Sequence, residues 1–162
     1  MSINKLVYQR MFRNLSEGQL HSVLTAGNIF SVDRGEVLIQ EGQRHRHLYF
    51  ILDGEVDVFT KDDAADEASH KLLTTLGPGD SVGEYGFVDG RPASASVQAA
   101  DVTELFALTL PVFAKLLESD SDLERVIYKN LLSILVDRLR TTNVIIDFLR
   151  DKEEDDESGD LH

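Results

Sequence analysis

The chain has 162 residues, 42% of them hydrophobic, and a formal net charge of -13, which suits one domain with an ordinary core and argues against a phosphate-backbone partner such as DNA. It contains no cysteine, which excludes a disulfide framework, a thiolate metal site and a cysteine nucleophile. Residues 1–13 hold no signal-like apolar core and no stretch reaches the ~20 apolar residues of a membrane span, so the expectation is a soluble, cytoplasmic protein without membrane contact.

Residues 1–27 form an expected N-terminal helical segment. Ser16 lies three residues before Gln19, a capping-box spacing, and Leu20, Val23 and Leu24 follow at helical intervals. Gly27 is the expected stop.

From Ile29 the apolar period changes to two. Residues 29–32, 36–40, 47–52, 55–59, 71–76, 95–99 and 103–108 read as short strands separated by glycine turns. Asp53-Gly54 between two apolar runs is a hairpin cue. Residues 61–70 are polar and acidic, an expected mobile loop. The fold class is therefore mainly β with flanking helices: a β-roll or jelly roll of roughly eight strands (an eight-stranded roll) over residues 28–109.

Residues 83–97, Gly-Glu-Tyr-Gly-Phe-Val-Asp-Gly-Arg-Pro-Ala-Ser-Ala-Ser-Val, interrupt the strands. Gly83, Gly86 and Gly90 let a backbone bend and approach a ligand closely. Pro92 stops any helix begun after Gly83, and Ser94 and Ser96 add small donors. A short helix start with free N–H groups offers an anion cradle. The same spacing also fits a tight turn beside a packed strand.

Residues 110–150 are expected to be helical, Pro111 sitting at a helix start and no glycine or proline falling between Asp122 and Arg150. Leu132, Leu135, Leu139, Thr142, Ile146 and Leu149 step by three and four, a coiled-coil seam. Leu123, Ile127, Leu131 and Ile134 make a neighbouring stripe that would face the roll. Two stripes imply two partners, the chain's own roll and a second subunit; one wide core-facing stripe is the other reading. Residues 151–162 form the expected disordered acidic tail, with seven acids and one lysine between 151 and 160. A docking role for it stays open.

The order of helix, roll with glycine-rich insertion, short helix and long helix resembles the cyclic-nucleotide-binding domain family. Residues 11–16, 35–42, 48–56 and 76–84 carry the resemblance, which extends from about residue 11 to about 145. The resemblance implies that Gly83 approaches ribose and phosphate and that Glu84 accepts from the ribose 2′-hydroxyl. Tyr85, Gly86 and Phe87 fall in the short helix facing the cyclic phosphate. Pro92 matches the family's proline, but the next position, an arginine that pairs with the phosphate in the family, is Ala93. Ser94 matches the small donor after it. Arg91 is the nearest replacement cation by sequence, although Pro92 lies between.

The resemblance further implies that Thr142 and Asn143 lie where the long helix of catabolite-activator-like regulators offers polar groups to the base; Thr142 is equally a plain seam position. Those regulators continue into a helix-turn-helix, which is not expected here, so the chain is not expected to bind DNA by itself. The ligand implied is cAMP or cGMP, held weakly, with no certain cofactor. The partners implied are a second copy of the chain and an effector protein. A dimerisation or docking module that no longer senses nucleotide is the alternative.

His45 and His47 form an H-x-H pair of the sort that metal-binding jelly rolls use, yet no Glu and later His follow at suitable positions. No nucleophile elbow, phosphate-binding Walker loop or catalytic carboxylate pair stands out. Catalysis is not expected.

Overall fold

The computed structural model describes residues 3–61 and 70–159. The expected mobile loop falls largely outside the described residues, as does the end of the acidic tail.

The N-terminal segment is broken into three pieces: α1 (Ile3–Leu6), a 3-10 turn (Arg10–Phe12) and α2 (Glu17–Ala26). Asn14, with φ at 64°, turns the chain between the second and third. The capping box forms as expected: Ser16 Oγ accepts from Gln19 N–H at 3.2 Å and Ser16 N–H donates to Gln19 Oε1 at 3.0 Å. Gly27 ends α2, but in extended backbone with φ at -121°. Glycine is needed there for close approach, because a Cβ would lie 2.6 Å from the Ala107 carbonyl and overlap the Phe106 ring.

Eight strands follow: β1 (Asn28–Val32), β2 (Val37–Ile39), β3 (His47–Asp53), β4 (Val56–Lys61), β5 (His70–Leu76), β6 (Ser81–Val82), β7 (Ser96–Ala99) and β8 (Thr103–Thr109). They pair antiparallel in two four-stranded sheets, ordered β1-β8-β3-β6 and β2-β7-β4-β5. Of the sequence neighbours, β4 and β5 pair with each other; the others mostly alternate between sheets. This is a jelly roll. It corrects one local expectation. Asp53-Gly54 closes no hairpin, since β3 and β4 lie in different sheets. Gly54 instead lets the chain cross between sheets with φ at 81°; a Cβ there would sit 2.5 Å from the Val102 carbonyl.

Strand alternation divides the apolar residues between two cores. Leu48, Phe50 and Leu52 of β3 join Phe106 and Leu108 of β8 in a core shared with the helices. Ile51 and Leu105, pointing the other way, join Val56, Val82, Val97 and Ala99 between the sheets. The central strands therefore read as continuous apolar runs because both of their faces are covered.

β8 passes into α4 (Leu110–Ser119), capped by Thr109 and carrying Pro111 in its first turn. Asp120 then caps α5 (Ser121–Gly159), its Oδ1 accepting from the N–H groups of Asp122 and Leu123 at 3.0 Å each. Leu123, Ile127, Leu131 and Ile134 are buried in the helix-covered core, each contributing about 1.5–3 kcal/mol. Asn130 clasps the 3-10 turn, donating to the carbonyls of Met11 (2.9 Å) and Arg13 (2.7 Å). The helix passes Arg150 and ends at Gly159, since no glycine or proline intervenes; residues 151–159 are helical in backbone. Among the described residues no helix is long and apolar enough to cross a membrane.

Candidate functional site

The glycine-rich interruption forms a compact cassette. β6 delivers the chain to Gly83, whose φ of 95° starts a short helix, α3 (Glu84–Asp89). A Cβ at Gly83 would meet the His47 carbonyl at 2.5 Å. Gly90, with φ at 65°, closes the helix, and its N–H donates to the Gly86 carbonyl at 3.0 Å. Phe87 anchors α3 to the helix-covered core, its ring centroid 4.9 Å from that of Phe113. That anchoring sends Glu84 inward, where the residue is 1% exposed, and leaves Tyr85 half exposed.

Glu84 meets a cation from α5. Arg138 Nη1 donates to Glu84 Oε1, and Arg138 Nη2 donates to the Ser81 carbonyl at 2.8 Å. Glu84 Oε2 and Ser81 Oγ are buried without a hydrogen-bond partner. Burial pulls the Arg138 guanidinium below its ordinary pKa; Asp80 opposes this and Arg10 adds to it. A buried carboxylate with one oxygen paired and one unfilled has room for a further donor.

His45 supports the other side of α3. Its Nε2 lies 2.9 Å from the Gly83 carbonyl, so that nitrogen carries the proton, while Nδ1 is buried and unpartnered. A Cβ at Gly86 would overlap this ring, 2.9 Å from Nε2. Gly86 thus makes room for His45 rather than for a left-handed turn. Among the described residues the H-x-H pair is joined by no cluster of three or more His, Cys, Asp or Glu that could hold an ion.

Ala93 is tied at both backbone ends, its N–H donating to the Gln43 carbonyl at 2.9 Å and its carbonyl accepting from Gly42 N–H at 2.8 Å. Its methyl packs on the core between the sheets. Ser94 is exposed. Ser96 is buried, but its hydroxyl oxygen accepts from Glu41 N–H at 2.9 Å and lies 3.4 Å from Gln40 Nε2, so it fastens β7 to the end of β2. The Arg91 side chain is 83% exposed and turned toward Asp89 at 3.9 Å. Arg44 Nη1 donates to the Gly90 carbonyl at the far end of α3.

On α5, Thr142 is exposed and its hydroxyl donates to the Arg138 carbonyl at 3.0 Å. Asn143 is also exposed. Tyr85, Val88, Asp89, Leu135, Arg138, Leu139 and Thr142 line a cavity of about 360 Å³ between α3 and α5. The structure therefore gathers Gly83, Glu84, Tyr85 and Gly86 with Thr142 and two seam leucines. Arg91, Ser94 and Asn143 stand outside that group. Of the seam, Leu132, Leu139 and Ile146 are 63%, 61% and 47% exposed; the Leu149 side chain lies outside the described residues.

Sequence reasoning missed Arg138, His45 and Ser81 as parts of the site. Arg138 carried a signal: it falls four residues after Ile134 and seven after Leu131, in the phase of the buried stripe. An arginine on a core-facing stripe calls for a buried acid. His45 and Ser81 carried none, since their partners are backbone groups distant in sequence.

A profile of the cyclic nucleotide-binding domain family matches residues 29–120. The cAMP-dependent protein kinase regulatory subunit of Mycosarcoma maydis is 28% identical over 75% of this chain and 25% of the relative. The cAMP-activated global transcriptional regulator CRP of Salmonella typhimurium is 33% identical over 65% of this chain and 48% of the relative. The chain thus spans between a quarter and about half of these curated relatives. Among solved structures, the Thermus thermophilus catabolite activator protein superposes with a TM-score of 0.72 at 25% identity, covering 88% of this chain and 63% of the other. A cyclic nucleotide-binding domain from Methylobacillus flagellatus shares the fold with a TM-score of 0.80 at 23% identity, covering 89% and 82%. With the roll, the cassette and the long helix all in place, the chain belongs to the cyclic nucleotide-binding domain family.

Proposed function

We propose that the protein is a cyclic-nucleotide-binding regulatory module, dimeric through α5, that signals through that helix and holds the phosphate weakly. The observation that carries this reading is the contact of Arg138 on α5 with Glu84 in the cassette. A ribose hydroxyl donating to the unfilled Glu84 Oε2 would share its carboxylate with Arg138. Occupancy of the cassette is then felt by α5, and the ligand favours one packing of the helix over another. The relatives named for cAMP make cAMP the first candidate ligand, with cGMP second.

Weak binding follows from Ala93. The neighbouring arginines are already engaged, Arg44 at Gly90, Arg91 beside Asp89 and Arg138 at Glu84. The exposed leucines of the seam support the dimer, and the cytoplasm is its expected compartment. A second reading, a docking or dimerisation module that binds no nucleotide, draws support from the Ala93 methyl packed on the core between the sheets.

Calorimetry with cAMP, cGMP and cyclic dinucleotides, on protein unfolded and refolded to strip host ligand, tests the sensor reading. Measurable binding of a cyclic mononucleotide is expected, and no binding by either the parent or Ala93→Arg removes it. For the seam, Leu135→Glu with Leu139→Glu is expected to give a monomer in sedimentation analysis. A dimer that survived both changes would show that the interface lies elsewhere.

A further inference from the structure

A histidine outside the proposed ligand contacts holds the cassette in place. His45 lies on the segment between β2 and β3, and that segment is itself anchored. The Arg46 carbonyl accepts from Leu110 N–H at 2.8 Å, and the Gln43 carbonyl accepts from Ala93 N–H at 2.9 Å. From this base the segment grips α3 at both ends: Arg44 donates to the Gly90 carbonyl, and His45 Nε2 donates to the Gly83 carbonyl at 2.9 Å. Phe87 N–H reaches the same Gly83 carbonyl at 3.4 Å, the longer of the two bonds. The imidazole also occupies the space that two cassette glycines leave. A Cβ at Gly83 would stand 3.1 Å from His45 Nε2, and one at Gly86 2.9 Å from the same atom. His45 Nδ1 is buried and unpartnered, so among the described residues the Nε2 contact is the ring's one hydrogen bond.

Gly83, with φ at 95°, is the residue before Glu84. Glycine rotates freely there, so the chain alone does not fix the Gly83–Glu84 peptide. That peptide is planar; a donor on its carbonyl therefore fixes the whole unit and the direction in which Glu84 leaves it. Glu84 is 1% exposed, with Oε1 on Arg138 and Oε2 unfilled. A tilt of the peptide moves that carboxylate away from both. We infer that His45 is a positioning residue of the cassette: its hold on the Gly83 carbonyl sets the Glu84 carboxylate where Arg138 and a ribose hydroxyl can share it.

The ribose half of the inference rests on the sensor reading, and two measurements keep the two apart. On protein refolded free of host ligand, calorimetry compares cAMP with 2′-deoxy-cAMP. The parent is expected to prefer cAMP by ~10-fold or more, since the missing hydroxyl donates to a carboxylate. His45→Ala should bring that preference below ~3-fold. His45→Gln, whose amide nitrogen stands where Nε2 does, should restore it; His45→Asn, with its nitrogen near the Nδ1 position, should not. Gly86→Ala, which pushes a methyl into the ring, should match His45→Ala. A role in folding alone would weaken both nucleotides alike and leave the preference. Without ligand, a urea double-mutant cycle of Glu84→Gln and Arg138→Met measures how strongly those side chains are coupled. Expressed as a ratio of unfolding constants, the coupling should drop at least ~3-fold in the His45→Ala background and hold with His45→Gln. Where His45→Ala does not fold, His45→Asn takes its place in both comparisons. If the parent binds no cyclic nucleotide, the sensor reading falls and the urea cycle still decides His45. The inference is overturned if His45→Ala keeps the parent's preference for cAMP, if His45→Gln behaves as His45→Ala does, or if the Glu84–Arg138 coupling is the same with and without the imidazole.

Discussion

Replacing Ala93 with arginine is the sharpest probe of the cassette. The position is prepared for a longer side chain in two respects. Its backbone is held at both ends by Gln43 and Gly42, and the residue is only half-buried, so the new stem has an exit and the main chain need not move. A charge-assisted hydrogen bond contributes about 1.5–3 kcal/mol net, which is about 10- to 150-fold in affinity. Against this stands the packing of the longer stem on the edge of the core between the sheets, a cost of about 1–3 kcal/mol to the fold if it is overpacked. Stability and affinity must therefore be read separately. Calorimetry with cAMP on parent and variant gives the affinity, and urea denaturation of each gives the stability. The expected result is a gain within that range, with the heat signal vanishing in a 2′-deoxy analogue that cannot reach Glu84. If Ala93→Arg folds, dimerises and still binds no more tightly than the parent, missing charge is not what limits the site, and the reasoning fails.

Two further expectations concern stability. Arg138→Ala leaves Glu84 buried without a counter-charge and should cost about 3 kcal/mol in urea denaturation, the lower end for a broken buried pair because the arginine side chain is a quarter exposed. Glu84→Gln with Arg138→Met should cost less than Arg138→Ala alone, and additive losses would refute a coupled pair. At the start of α5, the N–H of Leu123, the Gln19 side chain and the N–H of Asp122 hold the Asp120 carboxyl below the ordinary carboxylate range. A lowered folded pKa means the cap's ionic contribution is complete above the unfolded value of about 3.9 and fades as the pH falls through the folded one. Asp120→Asn keeps an acceptor but not the charge, so its melting temperature should fall less steeply than the parent's below about pH 4; parallel curves would remove Asp120 from the acid limb.

What the sequence displayed and what it hid divide along the range of the interactions. The capping box at Ser16 and Gln19 needs only four residues, and it was visible. So was the stripe of Leu123, Ile127, Leu131 and Ile134, because the helical period writes burial directly into spacing. The alternation in β3 and β8 was blurred by burial on both faces, yet the apolar runs still marked strands. Connectivity was not visible. Asp53-Gly54 has hairpin chemistry, but β3 finds its partners in β6 and β8, and that choice is made by the two cores rather than by the turn. Local turn residues fix that the chain reverses, not which sheet it joins.

The site divides in the same way. The glycine spacing of 83, 86 and 90 announced a cassette, and the structure gives each glycine its own reason: Gly83 approaches the His47 carbonyl, Gly86 clears the His45 ring and Gly90 ends the helix. The charge of the site was another matter. By sequence the question was which cation near position 93 replaces the absent arginine, and Arg91 was the nearest. In space Arg91 lies in solvent beside Asp89, and the guanidinium that reaches the cassette comes from α5, 54 residues after Glu84. A cation supplied by the cassette's own strand can neutralise a ligand without telling the rest of the molecule. A cation supplied by the helix that also carries the seam cannot: any ligand that changes what Glu84 needs from Arg138 changes how α5 sits on the roll. On the proposed function, an uncharged Ala93 and the placement of Arg138 would act in one direction, lowering the affinity that the cassette owns by itself and making what remains depend on the position of α5.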